Sequence, residues 1–177
     1  MSRAVGLPDA QTPAALLDAA HALVVESFGS RFTAADWQHA AGGWRVFVLE
    51  DDDVVGHAAV VPRRLRIGQR ELAAGYVEAV ATRAGRHGQG IGSTVMTAAN
   101  QIVRSHYDLG ALSTGRHSFY GRLGWERWSG PSYVRDGEQL IRTADEDAGL
   151  MVLRCPATTD LDRAASITCE AWIGDDW

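Results

Sequence analysis

Residues 76–93 read YVEAVATRAGRHGQGIGS, and the fold is decided in this stretch. Its first part, Tyr76–Thr82, has the apolar and β-branched character of a strand. Three glycines at alternate positions follow, and apolar residues then recur at helical spacing in the order Ile91, Val95, Ala98 and Ile102. A strand that passes through a glycine turn directly into a helix is typical of α/β domains.

The glycine turn has the properties of a phosphate-binding site. Glycine adopts positive φ and lets a ligand approach the backbone closely. The first N–H groups of the following helix have no partner inside it and lie at the positive end of its dipole. Such a cup favours phosphate oxygens. A purely structural glycine turn is the alternative, because short glycine motifs also occur without a ligand.

The residues of this segment exclude two common phosphate-binding motifs, one by the spacing of its glycines and one by the lack of a lysine. A Rossmann turn needs G-x-G-x-x-G, and the sixth position counted from Gly88 is Ser93. A P-loop needs a lysine before serine or threonine, and residues 76–93 contain no lysine. The motif that remains is His87-Gly88-Gln89-Gly90-Ile91-Gly92.

Two helices are predicted before this segment. Thr12 and Pro13 predict the start of the first, with Thr12 as its cap and Pro13 in its first turn, and Gly29 predicts its end. Thr33 and Asp36 have the spacing of a capping box at the start of a second, short helix.

The rest of the chain is predicted to alternate between strands and helices. An acidic turn at Glu50–Asp53 predicts a hairpin between its flanking strands. Gly75 predicts a bulge or a close backbone approach inside the strand that leads to the glycine turn, and alternation places Glu78 on one face of it with Tyr76 and Val80. The predicted strands are Trp44–Leu49, Val54–Val61, Leu65–Ile67, Glu71–Thr82, Leu109–Ser113, Ser132–Val134, Leu150–Leu153 and Ile167–Trp172, with helices over about 88–107 and at His117–Leu123, where Gly124 ends the second. The fold class is therefore mixed α/β around one sheet.

Composition limits the class of protein. The length of 177 residues predicts a single domain over residues 1–177. With 22 acidic and 17 basic side chains, the net charge of −5 argues against nucleic-acid binding. We expect no membrane association, because no apolar run is long enough to span a bilayer, and we expect a cytoplasmic protein. Cys155 and Cys169 are expected to be reduced thiols, and the spacing of the histidines predicts no metal site.

The glycine motif resembles the pyrophosphate loop of the GNAT acetyltransferases, R/Q-x-x-G-x-G/A, with His87 in the place of the usual arginine or glutamine and Arg86 beside it. The wider chain, from about Phe28 to its last residue, resembles one branch of that family, the aminoglycoside 2′-N-acetyltransferases. The ending Gly174-Asp175-Asp176-Trp177 is the most specific part of this resemblance. The other segments that carry it are Phe32-Thr33, Asp36-Trp37, His39, Gly42-Gly43, Gly56–Val60, Gly75–Glu78, Leu109–Ser113 and Leu123–Trp125.

This resemblance implies the GNAT acyl-CoA N-acetyltransferase fold, a mixed central sheet flanked by helices, and acetyl-CoA as the acetyl donor. Glu78 would act as a base through a water, and Tyr120 would protonate the departing thiolate. A backbone N–H of the Val80–Thr82 edge would polarise the carbonyl oxygen. The implied contacts to coenzyme A come from Val80, Ala81, Thr82, His87, Gly88, Gln89, Gly90, Ile91 and Gly92. From the residues alone, Glu78 could instead be an exposed strand glutamate in a salt bridge, and Tyr120 could pack on Phe119 or Trp125.

Aminoglycosides are polycations, so their site needs carboxylates without cationic partners. The resemblance implies that Asp175 and the carboxylate of Trp177 bind the substrate; a frayed acidic tail is the alternative. Arg31 stands where related proteins have an acidic substrate contact, so the preferred antibiotic or amine is expected to differ. The implied substrate contacts are Arg31, Asp36, Glu78, Ala79, Ser113, Glu146, Asp147, Asp175 and Trp177.

Three functions remain open at this point. The first is acetylation of the 2′-amine of aminoglycosides by a homodimeric resistance enzyme, where the dimer rests on the resemblance alone. The second is the same chemistry on another small amine or on a polypeptide N-terminus, which Arg31 favours. The third is an acyl-CoA sensor without turnover.

Overall fold

The structure, a computed structural model, describes residues 2–172 and 176–177. These described residues form two long helices, two short helices and ten strands. The helices are α1 (Ala14–Phe28), α2 (Ala34–His39), α3 (Ile91–His106) and α4 (His117–Gly121), with single 3-10 turns at Asp9–Gln11, Gly29–Arg31, Ala144–Glu146 and Pro156–Thr158. The strands are β1 (Arg3–Pro8), β2 (Trp44–Glu50), β3 (Asp53–Ile67), β4 (Arg70–Thr82), β5 (Leu109–Ser113), β6 (Glu126–Arg127), β7 (Ser132–Asp136), β8 (Gln139–Arg142), β9 (Leu150–Arg154) and β10 (Ile167–Glu170). The mixed α/β class is confirmed.

The chain divides into two compact units, with residues 1–61 and 77–102 in unit 1 and residues 62–76 and 103–177 in unit 2. The chain passes between them within β3, within β4 and within α3. The single-domain organisation expected from the length stays a prediction.

In unit 1, helices cover both faces of a small antiparallel sheet. β2 pairs with β1 on one side and with β3 on the other. Ala20, Leu23 and Val24 of α1 pack against Phe47 and Val54 on one face. On the other face, Gly56 lies under α3, and a Cβ added to it would come within 2.7 Å of a Val95 methyl group. Apolar contacts with α1 on one face and with α3 on the other therefore stabilise this sheet.

Unit 2 contains strands of mixed direction in the order β6-β9-β5-β4-β3-β10-β7-β8, to which β3 contributes residues 62–67 and β4 residues 70–76. The pairs β4–β5 and β10–β7 are parallel, whereas β5–β9, β10–β3 and β7–β8 are antiparallel. The β4–β5 pairing places Gly75 opposite Gly110 in regular register. Parallel strands need a long connection between them. α3 is part of the connection between β4 and β5, and residues 137–166 connect β7 to β10.

The beginnings of the two N-terminal helices were predicted with different success. α1 begins at Ala14, and Pro13 rather than Thr12 occupies its N-cap position. The Thr12 hydroxyl instead donates to the Pro8 carbonyl oxygen at 3.0 Å, so its prediction as the cap is wrong. The capping box of α2 is confirmed, because the Thr33 N–H donates to the Asp36 carboxylate at 2.6 Å and the Asp36 N–H to the Thr33 hydroxyl at 3.3 Å.

The acidic hairpin is confirmed, but the strand after it is longer than predicted. Asp51 and Asp52 both have positive φ, +47° and +69°, as a tight two-residue turn requires. β3 then runs without a break to Ile67, so the separate strand predicted at Leu65–Ile67 is wrong. Pro62 reads as an interruption in the sequence, yet it lies on an exposed part of one extended strand.

Three strands were not predicted. β1 contains a glycine and ends in proline, β6 has two residues, and all four residues of β8 are exposed. β1 and β6 exist through pairing with distant partners, β2 and β9. β8 pairs with β7 across a two-residue turn, and its exposed residues give no apolar pattern. Among the described residues, no helix combines the length and the apolar character that crossing a bilayer requires.

Substituting Gly110 by alanine is expected to destabilise the protein. A Cβ at this position of β5 would lie 2.9 Å from the Trp125 ring, 3.0 Å from Leu153 Cβ and 3.1 Å from a Val103 methyl group. Overpacking of this kind costs about 1–3 kcal/mol. Urea unfolding of Gly110→Ala should therefore show a lower midpoint than that of the native protein.

Gly115→Ala is the matched control, because a Cβ there would meet nothing within 4 Å. Its unfolding midpoint should stay close to that of the native protein. Equal midpoints for the two variants would contradict the close packing of β5 against Trp125 and Leu153.

Candidate active site

The glycine loop between β4 and α3 is tied to the β2–β3 hairpin by two arginines. Arg83 donates to the Val54 carbonyl oxygen at 2.9 Å, and Arg86 donates to the Glu50 carboxylate at 2.6 Å. Arg86 also donates to the Gln89 side-chain oxygen at 2.7 Å. These bonds fix the conformation of the loop and neutralise Arg86, while residues 87–90 remain exposed.

The loop glycines are required by their backbone conformation and leave open space around them. Gly85, Gly88 and Gly90 have φ of +74°, +79° and +83°, a region that L side chains rarely adopt. A Cβ at any of the three would meet nothing within 4 Å. Packing therefore does not explain these glycines, and the exposed peptides are accessible to a ligand.

The loop leads directly into the N-terminus of α3. The first bond at this end runs from the Thr94 N–H to the Gly90 carbonyl oxygen, at 2.9 Å. The N–H groups of Ile91, Gly92 and Ser93 precede it, so the geometry of a helix gives them no internal partner. Together with the open glycine peptides they form a cradle of donors at the positive end of a long helix, which fits a diphosphate.

β4 contains a break in its regular conformation directly before this loop. Ala79 has φ +50°, in the left-handed region, so strict alternation of side chains does not continue from Tyr76 to Ala81. Gly75 pairs in regular register, so the bulge predicted there is wrong and the irregularity lies at Ala79. The alternative of a close backbone approach at Gly75 stays a prediction. The neighbours of Ala79, Glu78 and Val80, are half-buried, and Thr82 accepts a long hydrogen bond from the Ser27 hydroxyl at 3.4 Å.

His57 contacts this break from β3, and no role had been assigned to it from the sequence. Its Nδ1 lies 2.9 Å from the Ala79 carbonyl oxygen. The side chain is 0% exposed and packs against Phe47 and Trp37, with ring centroids at 5.6 and 5.8 Å. Within the described part of the chain, its Nε2 has no hydrogen-bond partner. The available signal was a histidine within the otherwise apolar run Val54–Val61.

Burial keeps the imidazole of His57 neutral. Loss of solvation is the largest cause that lowers its pKa, to about 4, and the Arg45 guanidinium lowers it further. The bond to Ala79 and the Asp9 carboxylate act in the opposite direction. Since a carbonyl oxygen can only accept, Nδ1 carries the proton and Nε2 the lone pair.

Tyr120 lies in unit 2, on α4, and is buried. Its ring makes edge-on contacts with Phe119 and Trp125, with centroids 5.0 and 6.3 Å away. Burial raises the pKa of its phenol to about 12, against a smaller lowering by Arg116. Tyr120 therefore does pack on Phe119 and Trp125. The same burial keeps its phenol protonated, as a proton donor requires.

The acidic turn at 144–149, Ser113 and Trp177 lie together in unit 2. The indole N–H of Trp177, a residue only 6% exposed, donates to the Thr143 hydroxyl at 3.2 Å. Thr143 accepts from the Glu146 N–H at 3.0 Å. Directly after β5, the Thr114 N–H donates to the Gly149 carbonyl oxygen at 2.9 Å. The Ser113 hydroxyl also lies close to Gly149, because a Cβ on that glycine would fall 2.5 Å from it.

The last two residues are held by named contacts. Arg63 donates to the Asp176 carbonyl oxygen at 2.6 Å, and the Trp172 N–H donates to the Asp176 carboxylate at 2.7 Å. With Trp177 buried, residues 176–177 do not match the frayed tail that charge alone allowed. Asp175, predicted to bind the substrate, lies outside the described residues.

Asp147 does not meet the requirement of a carboxylate without a cationic partner. Arg142 binds both of its oxygens, and the Ser132 N–H and hydroxyl donate to one of them at 2.9 and 2.7 Å. The hydrogen bond from Arg142 is the main cause that lowers the pKa of Asp147, to about 2. Its charge is therefore permanent but compensated.

Two further predicted substrate contacts lie in unit 1. Arg31 is exposed at the end of the 3-10 turn after α1. Asp36 is half-buried, and its carboxylate is engaged in the capping box with Thr33. The structure thus shows a local role for Asp36 and none for Arg31.

The two cysteines are buried free thiols. Burial raises the pKa of both, that of Cys169 to about 12. In residues 2–172 and 176–177, no group of three or more histidine, cysteine, aspartate or glutamate side chains is arranged to hold a metal ion.

The glycine loop lies in a region of the chain that matches a known protein family. A profile described as "Acetyltransferase (GNAT) domain" matches residues 11–128, which run through both units. The chain belongs to the GNAT acetyltransferase family. It is also 43% identical over 165 residues to the aminoglycoside 2′-N-acetyltransferase of Mycolicibacterium fortuitum, covering 90% of this chain and 84% of that protein. The resemblance drawn from the motifs is confirmed, and this GNAT chain belongs to the same branch as that relative.

Solved structures show the same fold. The GNAT family N-acetyltransferase YhbS of Escherichia coli, in complex with CoA, matches with a TM-score of 0.67 and 16% identity over 96% of this chain and 91% of that chain. A GCN5-related N-acetyltransferase from Kribbella flavida matches with a TM-score of 0.60 and 23% identity over 74% of this chain, but only 34% of that chain. At these identities the likeness concerns the fold alone.

The pKa of His57 predicts a dependence of stability on pH. The unfolded chain binds a proton at His57 near pH 6.5 and the folded GNAT protein only near pH 4. Between these values the unfolded state holds more protons, so stability falls as the pH falls. From pH 7 to pH 5 this histidine should remove about 2 kcal/mol of unfolding free energy.

Urea unfolding at pH 7 and pH 5 measures this loss, with His57→Asn as the variant that cannot titrate. The native protein should lose more stability than the variant over the same interval. Equal losses would show that another group is responsible.

Proposed function

We propose that this protein transfers the acetyl group of acetyl-CoA to the 2′-amino group of aminoglycosides. The observation that carries the proposal is the 43% identity, over 90% of this chain, to an aminoglycoside 2′-N-acetyltransferase. The donor cradle at the start of α3 supports acetyl-CoA as the acetyl donor, because its peptides suit a diphosphate. Acetyl-CoA supplies the activated acetyl group as a thioester.

Unit 1 would hold the donor through the backbone. The peptides of Gly88 and Gly90 and the first N–H groups of α3 would bind the diphosphate, and the Val80–Thr82 edge would contact the arm that leads to the sulfur. His87 replaces the usual basic or amide residue of the motif, and its side chain is exposed. Because the backbone supplies most donors, we expect this replacement to be tolerated.

Glu78 is the proposed base. It would accept, through a water, the proton that the attacking 2′-amine loses as its nitrogen bonds to the acetyl carbon. A backbone N–H at Val80 would stabilise the negative charge that develops on the carbonyl oxygen. Both groups flank the left-handed residue Ala79.

Tyr120 is the proposed general acid. As the bond between the acetyl carbon and sulfur breaks, its phenol would give a proton to the departing thiolate. A pKa of about 12 keeps this phenol protonated throughout the neutral range. It therefore contributes no limb to a pH–rate profile below about pH 10.

The aminoglycoside contacts are proposed from residues of unit 2 that the structure brings together. Glu146, Ser113 and Trp177 lie around Thr143 and Gly149. Glu146 is the acidic residue among these three, and the resemblance implies it as a substrate contact. Asp175 and Ala79 remain in the proposal on the resemblance.

The proposal extends to the cell and to the assembly. We propose a cytoplasmic homodimer that confers aminoglycoside resistance. The homodimer and the resistance are supported by the family resemblance, whereas the cytoplasmic location is the expectation drawn from the sequence. Resistance follows if acetylation removes a positive charge from the antibiotic.

A second candidate function is acetylation of another small amine. The exposed Arg31 favours it, because a cation at a substrate contact repels an ammonium group. The same assay separates the two functions when the acceptor is varied.

A thiol-release assay with acetyl-CoA should show turnover of tobramycin and gentamicin and none of kanamycin A. Kanamycin A carries a hydroxyl at the 2′ position, so it offers no nucleophile there. Mass spectrometry and NMR of the product should place the acetyl group on the 2′-nitrogen. Equal turnover of tobramycin and kanamycin A would exclude 2′ specificity, and turnover of simple amines alone would favour the second candidate.

Glu78→Gln should lower kcat for tobramycin by about 100-fold or more, the range of a lost general base. Glutamine keeps the size and hydrogen-bonding capacity of the side chain but cannot take a proton. Coenzyme A affinity, measured by calorimetry, should be unchanged because the loop is intact. Asp18→Asn, an exposed acid on α1, is the control and should keep full activity. An unaffected rate in Glu78→Gln would contradict the role of Glu78.

A further inference from the structure

The backbone of β4 adopts an unfavourable conformation at the proposed reaction centre. Ala79 has φ +50°, although it is neither a glycine nor in a turn. Left-handed conformations of L residues persist only where the surrounding structure imposes them. Some contact must therefore hold the peptide that follows Ala79.

The contact is supplied by His57. Its Nδ1–H donates to the Ala79 carbonyl oxygen at 2.9 Å. The ring is 0% exposed and lies between Phe47 and Trp37, so it has no room to move away. The charged groups near it, Arg45 and Asp9, are paired with each other at 2.7 Å.

The planarity of the peptide bond transmits this contact to the next residue. The carbonyl of Ala79 and the N–H of Val80 belong to one rigid plane and point in opposite directions. When His57 fixes the direction of the carbonyl, it also fixes the direction of the Val80 N–H, away from His57. Glu78 is attached to the other side of the same residue.

We propose that His57 is a positioning residue, which holds the Ala79–Val80 peptide so that the Val80 N–H points at the acetyl carbonyl oxygen and Glu78 keeps its place. This inference rests on the proposed function. His57 touches neither substrate and takes no proton in the reaction.

The buried His57 side chain lowers the stability of the core, and this loss supports a specific role for it. Within the described residues, its Nε2 is buried without a hydrogen-bond partner. An unsatisfied buried nitrogen destabilises a core, and an apolar side chain of similar size would avoid that penalty. The bond to Ala79 is what an apolar side chain could not provide.

Two substitutions separate positioning from packing. His57→Leu fills a similar volume but removes the donor. His57→Asn leaves a larger gap but places an amide N–H near the position of Nδ1. For each variant we would measure kcat and KM with tobramycin, coenzyme A affinity by calorimetry, and the melting temperature.

Positioning predicts that His57→Leu loses at least about 10-fold in kcat, a fraction of the effect of deleting such a donor, with unchanged coenzyme A affinity. His57→Asn should retain kcat within about 3-fold despite a lower melting temperature. The opposite order, with activity following volume and stability, would overturn the inference. If His57→Leu does not fold, His57→Gln takes its place, because its longer amide is displaced from Nδ1.

Crystal structures of the variants provide a test that needs no activity. Ala79 should keep a positive φ in His57→Asn and relax to an extended conformation in His57→Leu. A positive φ retained in His57→Leu would overturn the inference whichever amine is the substrate. A native protein that binds coenzyme A but acetylates no aminoglycoside would instead refute the proposed function alone.

Discussion

The hydrogen bond from His57 to the Ala79 carbonyl oxygen fixes an interruption in the strand that precedes the glycine loop. A regular strand uses its peptides to pair with its neighbours, so they are not directed at a ligand. A left-handed residue re-orients one peptide, and a fully buried ring at 2.9 Å keeps it re-oriented. The proposed base and the proposed carbonyl donor both depend on this local geometry.

The glycine loop after the strand also directs peptide groups toward a ligand, but it does so through its own glycines. Its glycines adopt positive φ at little cost, and two arginines tie it to the β2–β3 hairpin. The helix then adds donors that its own geometry leaves unused. The proposed binding of a diphosphate is compatible with a net charge of −5, because the donors in this cradle are backbone N–H groups.

The second unit places its ionisable groups in distinct electrostatic states. Asp147 is charged and compensated by Arg142, whereas Tyr120 is buried and protonated. Trp177 is buried with its indole N–H bonded to Thr143, beside the acidic turn that contains Glu146. The contact of Trp177 with Thr143 joins residues that are far apart in the chain, so it is produced by tertiary packing.

The sequence alone determined the strand–glycine loop–helix segment, the acidic hairpin and the capping box, because each depends on residues close together in the chain. It also indicated the family, through short motifs spread along most of the chain. Only the tertiary structure decided the rest. β1 and β6 exist through distant partners. The irregularity in β4 falls at Ala79, because a histidine on another strand stabilises a conformation that alanine does not prefer. The pairing of Asp147 with Arg142 and Ser132 likewise depends on how β7 and β8 fold against the acidic turn, which no local pattern records.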